Sequence, residues 1–286
     1  MPDEPDHYTT LLSIAGRDSK HLYALANLAP TVDDPDSIWS VVIELSHKPE
    51  VLWKRTYMME TWLTSMGQSS EGYLYAVSMD GDLHTNRTGS WVVHDLDCPA
   101  GLNAIWVTSD TEIFAVGEVG KCVRWSGGNT DVFDRIPRVS LNAIHGRSAS
   151  DVYAVGDEGE ILRYNGSTWS EIESPCNHSL FSVLCVSEAD MYIAGAGVLF
   201  RTVGQEWEDL HCPPNIEITS LAVYHNELYA AAGEDGIYRL GREGLNKVKT
   251  LAIYELNVIE DLLFGIGGQL VVQFDGRGWW GGNLDL

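Results

Sequence analysis

Three observations predict an all-β chain forming a single seven-bladed β-propeller of four-stranded antiparallel blades. One sequence unit repeats seven times, one aromatic residue marks every copy, and no stretch has helical periodicity. The clearest copies are LNAIWVTSDTEIFAVGEVGKCVRWSGG from Leu102 and LNAIHGRSASDVYAVGDEGEILRYNGSTW from Leu141, 39 residues apart. The frame continues at Leu180, Ile218 and Ile253, and upstream at Glu60 and Thr9. Tyr23, Tyr75, Phe114, Tyr153, Tyr192, Tyr229 and Phe264 are the marking aromatics. A helical solenoid of similar period would need ten to twelve residues of 3.6-residue periodicity in each copy, and none has them. The copies divide one domain into blades at approximately 8–57, 58–100, 101–139, 140–178, 179–216, 217–250 and 251–286.

Within a copy each element has its own signal. LNAIHG is the first strand, SASD a turn, and DVYAVG a second strand rich in β-branched and aromatic residues. DEG turns into the third strand ILRY, and NGST turns into a fourth that begins at Trp169. The Asn-Gly and Asp-Gly steps supply the positive φ that tight hairpins require. Ala154, Gly156, Ala194 and Gly195 suit strands crowded near a propeller axis. The first copy is longer, and residues 27–40, rich in Pro and Asp, predict a surface loop.

The leading Leu-x-x-Ile, the Ser-x-x-Asp turn, Tyr-Ala-Val-Gly-x-x-Gly, the Arg-bearing strand and the following Trp resemble a bacterial propeller repeat. It is the kind grouped with photosystem-assembly-factor and sialidase-like repeats. The resemblance covers nearly the whole chain and is cleanest from Leu102 to Trp207. The sialidase Asp-box and the Gly-His and Trp-Asp dipeptides of Trp-Asp repeats are missing. Such propellers are mostly binding platforms, so the resemblance implies binding and assigns no site.

Charge narrows the partner. Eighteen basic against 41 acidic side chains give a net charge of −23. This balance excludes a surface built for nucleic-acid phosphates or anionic lipid and favours cationic partners. The acidic start MPDEPDHYTT, the lack of an 18-residue apolar run and five scattered cysteines predict a monomeric cytoplasmic protein without membrane association.

Several constellations have a plain structural reading. Gly276, Gly278 and Gly281 fit Gly-x-Gly-x-x-Gly, but no helix can follow to cradle a phosphate. Asp33, Asp34 and Asp36 have Ile38 where a calcium loop needs glycine. Cys176, His178, His211 and Cys212 lack zinc spacing. No metal or cofactor is expected. Arg124, Arg163, Arg201 and Arg239 recur in the third strand and are expected to pair with local carboxylates. Trp91, Trp169 and Trp207 recur at the start of the fourth and are expected to pack there.

The informative set is the turn between second and third strands, which carries Asp80, Asp82, Glu118, Asp157, Glu158, Glu160, Glu234 and Asp235. Corresponding turns of all blades lie on one face, so these carboxylates are predicted to form an exposed docking surface for a basic protein. Acids also occur toward the opposite face, at Asp110, Asp151, Asp190, Glu227 and Asp261. The reading is a non-enzymatic protein-binding propeller, an acidic immunity protein that neutralises a cationic antibacterial toxin such as a nuclease. A lectin-like propeller using the repeated tryptophans and an assembly scaffold are the alternatives.

Overall fold

A computed structural model describes residues 8–29, 38–46, 52–133, 139–204 and 206–284. Its 28 strands, numbered β1–β28 in chain order, form seven four-stranded antiparallel sheets, each from four consecutive strands. These blades span residues 8–60, 63–95, 102–133, 141–171, 180–209, 220–249 and 255–283. The first strands are β1 (Tyr8–Asp18), β5 (Leu63–Gln68), β9 (Leu102–Ser109), β13 (Leu141–Ser148), β17 (Leu180–Ser187), β21 (Ser220–Tyr224) and β25 (Glu255–Ile259). They line a central channel of about 810 Å³.

The hydrophobic core lies between blades. Strand side chains alternate faces, so each blade offers one apolar row to each neighbour. In β10 (Glu112–Gly117), Phe114 and Val116 pack against the fourth blade, while Ile113 and Ala115 pack against the second. Seven buried clusters correspond to the seven blade interfaces, and one joins the last blade to the first through Ile259, Phe264 and Ile266 against Leu11, Ile14 and Leu22. Six of the seven marking aromatics are buried in these clusters, and Tyr23 is partly buried against another.

A bulge and a hydroxyl latch neighbouring blades together. In the first five blades the pairing register of the first strand skips Leu12, Thr64, Asn103, Asn142 and Phe181. Such a bulge re-aims the extra side chain. Thr64 Oγ1 donates to Leu102 O (2.5 Å), Asn103 Nδ2 to Leu141 O (3.0 Å) and Asn142 Nδ2 to Leu180 O (3.1 Å). At the next position, Ser13, Ser65, Ser182 and Ser220 accept from the backbone N–H of Met66, Ile105, Leu221 and Leu256 in the following blade. Where that position is Ala104 or Ala143, the preceding asparagine makes the inter-blade bond instead.

The ring closes by the same device, and among the described residues every blade is built from four consecutive strands. Glu255 stands where four other blades have serine, and its Oε1 accepts from Ile14 N at 3.2 Å. Asn257 Nδ2 donates to Ile14 O (2.9 Å), Leu11 N to Gly268 O (2.7 Å) and Ser19 N to Glu260 Oε2 (2.9 Å).

Two sequence expectations need correction. Asn27–Ala29 belong to the strand His21–Ala29, and Trp39 and Ser40 begin the strand Trp39–Ser46, so the 27–40 segment is strand at both ends. Residues 30–37, with the three aspartates, lie outside the described residues. The crowding around Gly156 and Gly195 comes from the loop entering their own blade rather than from the axis. A Cβ at Gly156 would meet Ser140 O at 2.1 Å, and one at Gly195 would meet Ser179 O at 2.0 Å.

Candidate functional site

Strand direction alternates within a blade, so turns from second to third strand share one end of the propeller with the loops leading into the next blade. In the third and fourth blades that turn is a short 3₁₀ segment, Glu118–Gly120 and Asp157–Gly159. Its central residues, Val119 and Glu158, have φ of 49° and 58°. Gly159 follows in the same left-handed region, where a Cβ would strike Cys176 O.

This end gathers the turn carboxylates unequally. Asp80, Glu118, Glu158 and Glu234 are exposed; Asp82, Asp157, Glu160 and Asp235 are half-buried. The uniformly exposed set expected from turn position is therefore not observed: the turns abut the loops that leave their own blades, where a Cβ at Gly81, Gly159 or Gly236 would meet Cys98 O, Cys176 O or Lys249 O. Asp82 is also the first residue of the strand Asp82–Thr85 rather than a turn residue. Burial first, then the nearby Asp95 and Asp80 carboxylates, holds its carboxyl above the ordinary range.

Neutral donors hold several of the others. Thr61 Oγ1 donates to Asp80 Oδ2 (2.9 Å), Asn142 Nδ2 to Asp157 Oδ1 (3.1 Å) and Tyr254 Oη to Glu234 Oε1 (3.1 Å). The fifth and seventh blades carry Ala196–Gly197 and Gly268–Gln269 at the corresponding turn, so the acidic arc is broken there. Sequence reasoning missed the loop contribution: Asp95, Asp97, Glu173, Asp209 and Glu217 are exposed at the same end. Exposed Trp62, Val119 and Tyr254 stand among them. Fourth-strand ends alternate with turns around the rim, which would have indicated this second set.

The opposite end treats its acids differently. Each recurring arginine faces its blade's marking aromatic in the register, as Phe114–Arg124, Tyr153–Arg163, Tyr192–Arg201 and Tyr229–Arg239. Each also pairs with the carboxylate that opens or nearly opens the second strand. Arg124 Nη2 lies 2.6 Å from Glu112, Arg163 Nη2 3.0 Å from Asp151, Arg201 Nε 2.7 Å from Asp190 and Arg239 Nη1 3.1 Å from Glu227. Arg147 adds a second guanidinium to Asp151. His225 Nε2 contacts Asp261 Oδ1 at 2.6 Å. By contrast, Asp80, Asp82, Glu118, Asp157, Glu158, Glu234 and Asp235 have no Lys or Arg ion-pair partner among the described residues.

The remaining constellations are structural in their observed contacts. Trp169 is buried, Trp207 packs beside Ile172 with its Nε1 on Glu173 O (3.2 Å), and Trp91 stacks on Tyr57 at 4.3 Å. Burial pushes the Cys212 thiol up to about 11, and its Sγ donates to Ile216 O. No cluster of three His, Cys, Asp or Glu side chains suited to a metal occurs among the described residues. Gly276 lies in a turn and Gly281 in the strand Trp279–Asn283, so the motif falls on a hairpin.

Fold and site together define a seven-bladed β-propeller with a carboxylate-rich rim at one mouth of its axial channel. No protein-family model and no curated protein matches the sequence. Solved propellers do match in fold. One is YCF48 bound to a D1 peptide, at 12% identity, covering 96% of each chain with a TM-score of 0.71. Virginiamycin B lyase from Staphylococcus aureus matches at 14% identity, covering 80% of this chain and 86% of the lyase, with a TM-score of 0.69. Chaetomium thermophilum Sqt1 bound to the N-terminus of ribosomal protein L10 matches at 13% identity, covering 98% and 91%, with a TM-score of 0.68. Identities this low establish the shared fold.

Proposed function

We propose that this protein is a non-enzymatic protein-binding propeller whose acidic rim docks a basic partner. The observation that carries the reading is the asymmetry between the two ends. Toward one end the second-strand carboxylates Glu112, Asp151, Asp190 and Glu227 pair with arginine, whereas at the other the turn carboxylates Asp80, Asp82, Glu118, Asp157, Glu158, Glu234 and Asp235 have no Lys or Arg ion-pair partner among the described residues. Unneutralised carboxylates on one face attract a cationic surface and accelerate its encounter. Trp62, Val119 and Tyr254 supply apolar contact among them. Two structural neighbours, YCF48 and Sqt1, are solved with a peptide or protein segment bound, which supports a binding role for this fold. In its narrower form the partner is a cationic antibacterial toxin such as a nuclease, and the chain is its cytoplasmic immunity protein. Carboxylates on a rim can stand in for the phosphates that a nuclease surface recognises.

The test is affinity capture from the native cytosol at low and high salt, with the variant Glu118→Lys, Glu158→Lys, Glu234→Lys beside the unaltered protein. These three carboxylates are exposed, so the fold tolerates their reversal. A basic protein retained at low salt, released at high salt and lost by the variant is expected. Its association rate should be at least about tenfold slower for the variant. A partner held equally by both proteins overturns the reading. For the toxin form, co-production must protect cells from the captured protein.

A further inference from the structure

The axial channel contains a carboxyl group, Glu255, that has no counter-charge among the described residues. Its wall is built from the seven first strands and carries small polar side chains, including Ser13, Ser65, Ser182 and Ser220, beside apolar Leu12, Phe181 and Val186. Among the described lining residues the titratable groups are His145, Cys185, Tyr254 and Glu255, and no Lys or Arg is present. His145 and Cys185 are held uncharged near neutrality. Burial pushes His145 down to about 4, and its Nδ1 accepts from Cys185 N, while burial pushes the Cys185 thiol up to about 12.

Glu255 is thus the acidic side chain of this wall. The groups around it come from every adjoining element. From β1, Ile14 N and the Ser13 hydroxyl bond to it. From β21, Ser220 accepts from Leu256 N beside it. Tyr254, immediately before it, donates to Glu234 at the acidic mouth, and His145 lines the wall from the fourth blade. Asp18 and Glu260 lie at the opposite end of the seam. Burial lifts the Glu255 carboxyl to about 8, although both hydrogen bonds favour ionisation. At neutral pH it is therefore largely protonated. Four other blades make the same latch with an uncharged serine, so latching does not require a carboxyl group.

We propose that Glu255 is the anionic centre of a cation site in the axial channel, taking a primary alkylammonium group that enters by the acidic mouth. A buried charge is stable when paired, and the ammonium supplies the pair. The hydroxyl-bearing wall offers acceptors to an N–H donor, and Leu12 and Phe181 offer apolar surface to its alkyl chain. Binding is balanced in charge: the protonated Glu255 releases its proton to solvent and becomes carboxylate as the ammonium arrives. The inference does not rest on the docking reading. It is tested with a small probe and no protein partner, so either can fail alone.

The probe is n-butylammonium chloride, titrated into the full chain near pH 7 by calorimetry in buffers of different ionisation enthalpy. Saturable millimolar binding with nearly one proton released per cation is expected. The carboxyl ¹³C resonance of Glu255 should move from the protonated to the ionised position as the cation binds. Glu255→Gln keeps an oxygen for Ile14 N and Glu255→Ser restores the residue of other blades; both should fold and weaken binding at least tenfold. N-acetyl-lysine N-methylamide distinguishes the sources of the ammonium. Tighter binding than butylammonium assigns the site to a protein's lysine, and weaker binding to a free amine. An unmoved Glu255 resonance, no proton release, or unchanged binding by Glu255→Gln overturns the proposal.

Discussion

Four glycines show what a single atom can demand. Gly117, Gly156, Gly195 and Gly267 end the second strand of their blades, where a Cβ would come within 1.9 to 2.2 Å of a carbonyl oxygen in the entering loop. At Gly156 that oxygen belongs to Ser140, which also accepts from Asp157 N and so anchors the acidic turn. Gly156→Ala should lower stability by about 1–3 kcal/mol through overpacking. Gly278→Ala, with open space around the added carbon, should be close to neutral, and urea unfolding of the two compares them. The sequence showed these glycines as a recurring letter but could not show their reason, since the opposing carbonyl comes from a loop of unrelated sequence. The same limit applied to the carboxylates. Asp157 and Glu158 are neighbours with the same charge, yet the first is half-buried and held by Asn142 while the second is exposed.

At the scale of strands, each blade bonds to the next from positions of its first strand, three of them in the fourth blade: Asn142, His145 and Arg147. The recurring Leu-x-x-Ile was legible as a strand; the two residues inside it were not legible as latches. A serine in an apolar strand carries no indication of which neighbouring N–H it will meet. Glu255 is the informative departure, since it makes the seam latch between β25 and β1 and is held near a pKa of about 8 by burial. An acid whose folded pKa exceeds its unfolded value of about 4.5 stabilises fully below that value, and the contribution is lost as pH rises toward 8. Across that window Glu255 should make stability fall by at most about 1.4 kcal/mol per pH unit. Glu255→Gln should flatten this dependence, and chemical denaturation at a series of pH values measures it. A slope unchanged by the substitution would place the titration elsewhere.

For the whole molecule, the repeat made blade number and strand order readable, because any seven-fold pattern of four-stranded units must stack to bury two faces per sheet. Charge was readable only as a total of −23. Its division between four arginine-paired second-strand carboxylates and the turn carboxylates of the other end depends on which carboxylate stands across a strand from which arginine. Mutual repulsion on the rim should make the protein more heat-stable at 0.15 M ionic strength than at 0.01 M, since the Debye length contracts from about 30 to 8 Å. Glu118→Gln, Glu158→Gln and Glu234→Gln together should reduce that difference, as scanning calorimetry would record. The ring's closure has a further consequence. Every sheet is contiguous in sequence, and the described latches reach forward to the following blade or across the seam. One copy is therefore an interchangeable cassette that carries its own fastener. Recombination between copies would transfer hydroxyl and amide latches intact, and a unit inserted between two blades would meet the backbone amide or carbonyl its fastener requires. Such a gene can exchange the chemistry of its rim blade by blade while conserving the means of holding the ring together.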